Sequence, residues 1–256
     1  MIRRIAVLLT LVLFPTSLLL AQKKNSNITL HGSGDDITYS KDSTRNLYNH
    51  LTPISKPSRD FLMIELGYNN WISKPDSIKT KSFGYVFKSY LCYDFPIKKS
   101  KLSFATGIGI NAAVVYFDKQ VMAVNDTGTL GNAAHFLSST EYKRYKFTTV
   151  YLQAPFELRY YGNTQNRNNG FKAALGVEVG TLLGAHTKGI RSVGGTTIKD
   201  KENTKRYVSP WNFAATARVG YGNFSLFGSY NITGVYKDAN GPVITPMTVG
   251  LCISGL

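Results

Sequence analysis

Beyond residue 60, apolar and polar residues alternate with a period of two along most of the chain. The clearest stretch is LSFATGIGINAAVVYF. In it Leu102, Phe104, Thr106, Ile108, Ile110, Ala112, Val114 and Tyr116 share one face, and Ser103, Ala105, Gly107, Gly109, Asn111 and Ala113 share the other. That period belongs to a β-strand, not a helix. At about 3.3 Å per residue the segment would run about 50 Å, longer than the usual strand of a water-soluble sheet. The same rhythm recurs in FLMIELGYNNW, YVFKSYLCYDF, TVYLQAPFELRYY, FKAALGVEVGTLLGA, WNFAATARVGY, FSLFGSYNI and MTVGLCISG, which makes eight segments in all.

In each segment one face is apolar, and the other mixes glycine with polar or ionisable groups. A soluble sandwich would put its apolar face inside and its Lys, Thr and Glu outside. Here Glu65, Lys88, Asp94, Glu157, Arg159, Glu178 and Arg218 share the glycine-rich side, where small residues leave room for long ones in a narrow lumen. Apolar outside and polar inside is the pattern of a transmembrane β-barrel. The prediction is an all-β fold, an eight-stranded antiparallel transmembrane up-and-down barrel over residues 60–256. Its seven lumen charges pair as a structural network, which is favoured over a proton or substrate path.

The connections test this independently, because outer-membrane barrels alternate short periplasmic turns with longer external loops. ISKPDSIKTKS, about Asp118 to Arg144, about His186 to Arg206, and KDANGPV are the longer ones. PIKKSK, GNTQNRNNG and the two-residue hairpin signal Gly222-Asn223 alternate with them. Aromatics near strand ends point the same way: Tyr68 and Trp71, Tyr93 and Phe95, Tyr116 and Phe117, Tyr160 and Tyr161, Trp211 and Tyr221 are expected at the membrane interfaces. Tyr90, Tyr151 and Phe227 are expected to obstruct the lumen, and eight strands enclose no wide pore.

MIRRIAVLLTLVLFPTSLLLAQ sets Arg3 and Arg4 before an apolar run that ends at Ala21-Gln22. Residues 1–21 read as a cleaved secretory signal peptide rather than an anchor, since the run is short for a spanning helix and holds Pro15. Residues 22–59 read as a polar periplasmic segment, with both termini of the mature chain in the periplasm.

The net charge of +15 predicts an acidic surrounding, and export removes nucleic acid as the natural partner. That leaves outer-membrane lipid and lipopolysaccharide, with a secretion-system or other envelope protein as a further expectation. The external loops carry a basic rim: Lys143, Arg144, Lys188, Arg191, Lys199, Lys201, Lys205 and Arg206. It is either a solvated surface or a site attracting lipopolysaccharide phosphates, and the two are compatible.

No phosphate-loop or metal motif is present, so no cofactor or metal is expected. Cys92 and Cys252 fall on the inner face as free thiols. His31 and His50 would be periplasmic, while His135, near Ser138 and Ser139, and His186, beside Thr187, would be external. A lipid A or phospholipid modifying enzyme with a site at the external rim is the alternative function. Sequence proximity establishes neither the hydrogen bond nor the orienting third group that such a site needs, so a non-enzyme is expected.

The hairpin succession, GVEVGTLLG followed by a long polar loop, ARVGYGNFSLFGSYNITGVY as a Gly-Asn hairpin, and the final strand resemble the PorT-like outer-membrane β-barrel family over about Phe61 to Leu256. The resemblance implies a small eight-stranded barrel with a structural, binding or secretion-accessory role, PorT itself being associated with a protein secretion system. One departure is the ending CISGL, where many outer-membrane barrels end in an aromatic residue.

Overall fold

A computed structural model describes residues 62–81, 83–97, 100–124, 134–163, 169–237 and 241–255. The expected signal peptide and polar segment lie outside the described residues. Among the described residues there are eleven strands: β1 (Leu62–Trp71), β2 (Tyr85–Pro96), β3 (Leu102–Phe117), β4 (Gln120–Val124), β5 (Ala134–Ser138), β6 (Tyr142–Tyr161), β7 (Phe171–Val193), β8 (Thr196–Asn203), β9 (Trp211–Tyr221), β10 (Phe224–Asn231) and β11 (Pro246–Ser254).

Eight of these form a closed ring in the order β1-β2-β3-β6-β7-β9-β10-β11, and β11 returns to pair with β1. Every pairing is antiparallel. Closure leaves no sheet edge in the ring, so each ring strand satisfies its backbone groups without water. The two-residue turn Gly222-Asn223 joins β9 to β10, with Gly222 at φ 62° as the first position of a type II′ turn requires. Below, the end carrying this turn is the turn end and the opposite one the loop end. β1 starts and β11 finishes at the turn end, where Met63 pairs with Ser254.

The pleat sorts the side chains as the pattern requires. Leu66, Phe87, Leu91, Ile108, Leu158, Leu175, Val219, Leu226 and Leu251 are exposed on the outside, whereas Glu65, Lys88, Asp94, Glu157 and Glu178 are buried inside. Burying so many charges while exposing so many large apolar groups is stable only when the outer solvent is lipid.

Two expectations about the connections need correction. The segment from Asp118 to Arg144 is not a plain loop, because β4 and β5 pair as a hairpin within it. The segment from His186 to Arg206 is largely strand: β7 continues to Val193 and turns through Gly194 (φ 55°) and Gly195 (φ 82°) into β8, which pairs back onto it. Two successive positive φ values are what a type I′ hairpin turn needs, and glycine supplies them without strain.

The aromatic belt is also half of what was expected. Tyr68, Tyr93, Phe95, Tyr160, Trp211 and Tyr221 are exposed on the outer face, but Trp71, Phe117 and Tyr161 point inward and are buried. The pleat is the reason: adjacent residues such as Tyr116 and Phe117, or Tyr160 and Tyr161, cannot share a face. The two tryptophans therefore see different solvents, and lipids brominated on their acyl chains should quench Trp211 strongly and Trp71 hardly at all. Comparing the W71F and W211F variants separates them; equal quenching of the two would refute the facing assignment.

Candidate functional site

The lumen is filled from the turn end upward. Asp94 on β2, Glu157 and Arg159 on β6 and Arg218 on β9 converge from three strands that are distant in sequence. Arg159 pairs with Asp94 Oδ1 through Nη1 at 2.9 Å and with Glu157 Oε2 through Nε at 2.8 Å. Glu157 Oε2 also takes Arg218 Nη2, so one carboxylate bridges two guanidiniums. Tyr161 donates its hydroxyl to Asp94 Oδ2 at 2.6 Å. The sulfurs of Met63 and Cys252 lie 2.7 and 3.2 Å from Arg218 Nη1. Cys92 and Cys252 are both free and buried.

A second cluster lies nearer the loop end. Lys88 on β2 donates to both oxygens of Glu178 on β7, at 2.9 and 2.7 Å, and stands 3.6 Å from Glu65 on β1. Tyr90, two residues from Lys88 towards the turn end, donates to Gln153 Oε1, and Gln153 Nε2 donates to Asn212 Oδ1, each at 2.8 Å. Tyr90 can cross the lumen because its cross-strand partner is Gly109; a Cβ there would collide with the ring. Phe227 and Tyr151 are buried in the same space.

The structure thus brings all seven predicted lumen charges together and adds one. Lys172 on β7 is buried on the inner face, with its ammonium 5.7 Å from the Tyr161 ring centroid. The alternation puts it on the same face as Glu178, six residues on. With it, the buried charges are Glu65, Asp94, Glu157 and Glu178 against Lys88, Lys172, Arg159 and Arg218. Four carboxylates stand against four cations, so the buried charge is balanced.

Above Lys88 a chamber of about 40 Å³, with room for about three waters, is lined by Asn69, Asn111, Thr149, Asn212, Ser229 and Thr248 among others. Over it sits an apolar plug. Trp71 packs edge-on against Phe117, Phe147 and Tyr236, with ring centroids 5.6, 6.1 and 6.4 Å apart. The β4–β5 hairpin supplies Met122, Ala134 and Phe136 to the same cluster. Tyr145 donates to the Met122 carbonyl at 3.2 Å and ties the hairpin down.

The predicted basic rim does not form one patch. Arg144 on β6, Lys188 on β7 and Lys199 and Lys201 on β8 lie on the outer face of a sheet that rises at the loop end. Arg191 turns to the other face, where its Nε pairs with Asp200 at 2.9 Å and Nη1 with Glu141 at 3.8 Å. Lys143 falls at a β-bulge in the β6–β7 pairing. Lys205 and Arg206 lie beyond β8; Lys205 donates to the Leu183 carbonyl at 3.2 Å, and Arg206 stacks over Tyr207.

The two histidines expected to be external lie on different strands. His135 lies on β5 opposite Ala123. His186 lies on β7, and burial, then Lys201, Lys146 and Lys188, hold its imidazole below its ordinary pKa. The unfolded chain accepts that proton first, so lowering pH through the ordinary histidine range costs stability. Among the described residues no three of His, Cys, Asp and Glu are grouped to hold a metal ion.

The sequence model of the family described as outer membrane protein beta-barrel domain matches residues 60–235. The chain belongs to that family. Membership places this barrel in the outer membrane, the location that its exposed apolar girdle requires. The crystal structure of Ail, the attachment invasion locus protein of Yersinia pestis, aligns at 15% identity over 77% of this chain and 97% of that chain, with a TM-score of 0.35. No curated protein matches the chain.

Proposed function

We propose that the chain is a PorT-like outer-membrane barrel acting as a membrane-anchored binding or secretion-accessory protein, neither a pore nor an enzyme. In this reading residues 1–21 are a signal peptide, residues 22–59 and both mature termini are periplasmic, and the loop end faces outward. The observation that carries it is the double closure of the lumen. A balanced ion-pair network fills the lumen, and an apolar plug covers its loop end. Solute passage would have to break both at once. Among the described residues, the sheet of β6, β7 and β8 at the loop end is a surface available to a partner.

A lipid-modifying enzyme would need a nucleophile, a base and an orienting acid converging at that end. What favours a non-enzyme is that burial and then Lys201, Lys146 and Lys188 disfavour the His186 imidazolium that a general base must become. The experiment is single-channel recording of the full chain in planar bilayers. The expected result is no stepwise conductance in a preparation whose gel mobility shifts on boiling; discrete channels from the unboiled species would overturn the sealed-barrel reading.

A further inference from the structure

The pairing register at the loop end lines up three lysines. Lys146 on β6 is directly opposite Lys188 on β7, and Lys188 is directly opposite Lys201 on β8. Like charges placed opposite one another across strands are destabilising, so this row is costly unless an anion occupies it. The neighbouring rows extend it: Arg144, Ile190 and Lys199 on one side, Thr148, His186 and Asn203 on the other. The face therefore holds five cations and no carboxylate. The acids of β8 alternate away from it, and Asp200 is taken up on the opposite face by Arg191 and by the Tyr142 hydroxyl at 3.1 Å. Among the described residues none of the five cations has a carboxylate within ion-pair distance.

A bulge aims this face. Along lower β7 the even-numbered residues Lys172, Ala174, Glu178 and Leu182 point inward. Val150 then pairs with Gly184 while Tyr151 pairs with Leu182, leaving Leu183 as the extra residue. Above it the parity reverses: Ala185 and Thr187 are buried inside, and Lys188 points out. A bulge redirects side chains in this way, and without it Lys188 would enter the lumen.

The direction matters because the outer face of the same strands meets lipid lower down. Leu183, exposed on that face, lies five residues before Lys188, roughly 15 Å along the strand, and less in height once the strand is tilted. At the boundary a hollow is lined by Leu183, Gly184, His186, Lys201, Asn203 and Lys205. It is apolar towards the bilayer and cationic away from it.

We propose that this face binds the phosphate-bearing headgroups of the surrounding lipid leaflet, with Lys146, Lys188 and Lys201 holding phosphate and Leu183 contacting the acyl chains. This rests on the reading of the chain as a bilayer-spanning barrel whose loop end faces outward. Burial and then the field of Lys201, Lys146 and Lys188 lower the His186 pKa, which gives the site an internal reporter: a phosphate neutralising these lysines, with Arg144 and Lys199 beside them, removes the lysine part of that lowering and raises the His186 pKa.

The test uses the full chain folded in phosphatidylcholine nanodiscs doped with lipid A, with His186 resonances assigned through the H186Q variant. Doping is expected to raise the His186 pKa, and inorganic phosphate at the same concentration is expected to leave it unchanged. Each cation near an anionic surface is worth about fivefold, so the K146Q/K188Q/K201Q variant should bind lipid A on the order of 100-fold more weakly at low salt. It should also show a raised His186 pKa before any doping. An equal response to inorganic phosphate, or lipid A binding undiminished in the triple variant, overturns the proposal. Gel mobility separates the two readings: a variant that still shifts on boiling is a folded barrel, so failure of lipid A binding then falls on this proposal alone, while the absence of any shift in the parent chain falls on the barrel reading.

Discussion

Replacing Glu157 with alanine should destabilise the folded barrel by about 3–5 kcal/mol, the usual cost of removing one partner from a buried charge network. Its Oε2 serves Arg159 and Arg218 together. Arg159 keeps Asp94, 2.9 Å away. Among the described residues Arg218 keeps only the sulfurs of Met63 and Cys252 as hydrogen-bond neighbours, and neither compensates a buried guanidinium. The measurement is the urea midpoint of barrels folded in vesicles, read as the fraction that still shifts on boiling. Removing the cation as well should recover stability: E157A/R218M is expected to be more stable than E157A, because no uncompensated charge is left inside. A single variant that unfolds at the parent midpoint would mean that water reaches Arg218 and that the lumen is wetter than the geometry describes.

The lumen network was readable from the sequence because lipid enforces a strong contrast. Within the bilayer one face of every strand must be apolar, so Glu65, Lys88, Glu178 and Arg218 stand out by parity alone. Above the bilayer that contrast disappears. HTKGIRSV and TTIKDKEN are strands with polar residues on both faces, since both meet water or other polar groups. Backbone pairing continues there without a hydrophobic rhythm to announce it, and only Gly194-Gly195 marks the hairpin. The bulge at Leu183 hides the site further. Counting by parity from Lys172 puts Lys188 in the lumen, and only the pairing register shows that it lies outside with Lys146 and Lys201. The aromatic belt misled for a related reason, since a ring near a strand end serves a membrane interface or a lumen plug equally well, and the pleat decides which.

Trp71→Ala should have the other large effect, and it should be concentrated at the loop end. Removing a buried tryptophan costs about 3–5 kcal/mol, because transfer energy and a cavity are lost together. Trp71 is 3% exposed and touches the rings of Phe117, Phe147 and Tyr236, the centre of the cluster that also holds Met122 and Ala134 of the β4–β5 hairpin. The ring strands below are held by their own pairings and by the ion-pair layers, so local opening of the hairpin is the expected outcome. Trypsin cutting after Lys119, which is exposed beside β4, should accelerate on the order of 100-fold or more, as a free-energy loss of that size implies when opening is fast relative to cleavage. The cleaved barrel should still shift on boiling, and its remaining Trp211 should still be quenched by brominated lipid. Trp71→Phe keeps an aromatic ring in the cluster and should cleave at close to the parent rate. If W71A instead unfolds as one unit with no early cleavage, the plug and the barrel are a single cooperative structure, and the mouth cannot open independently to admit a ligand.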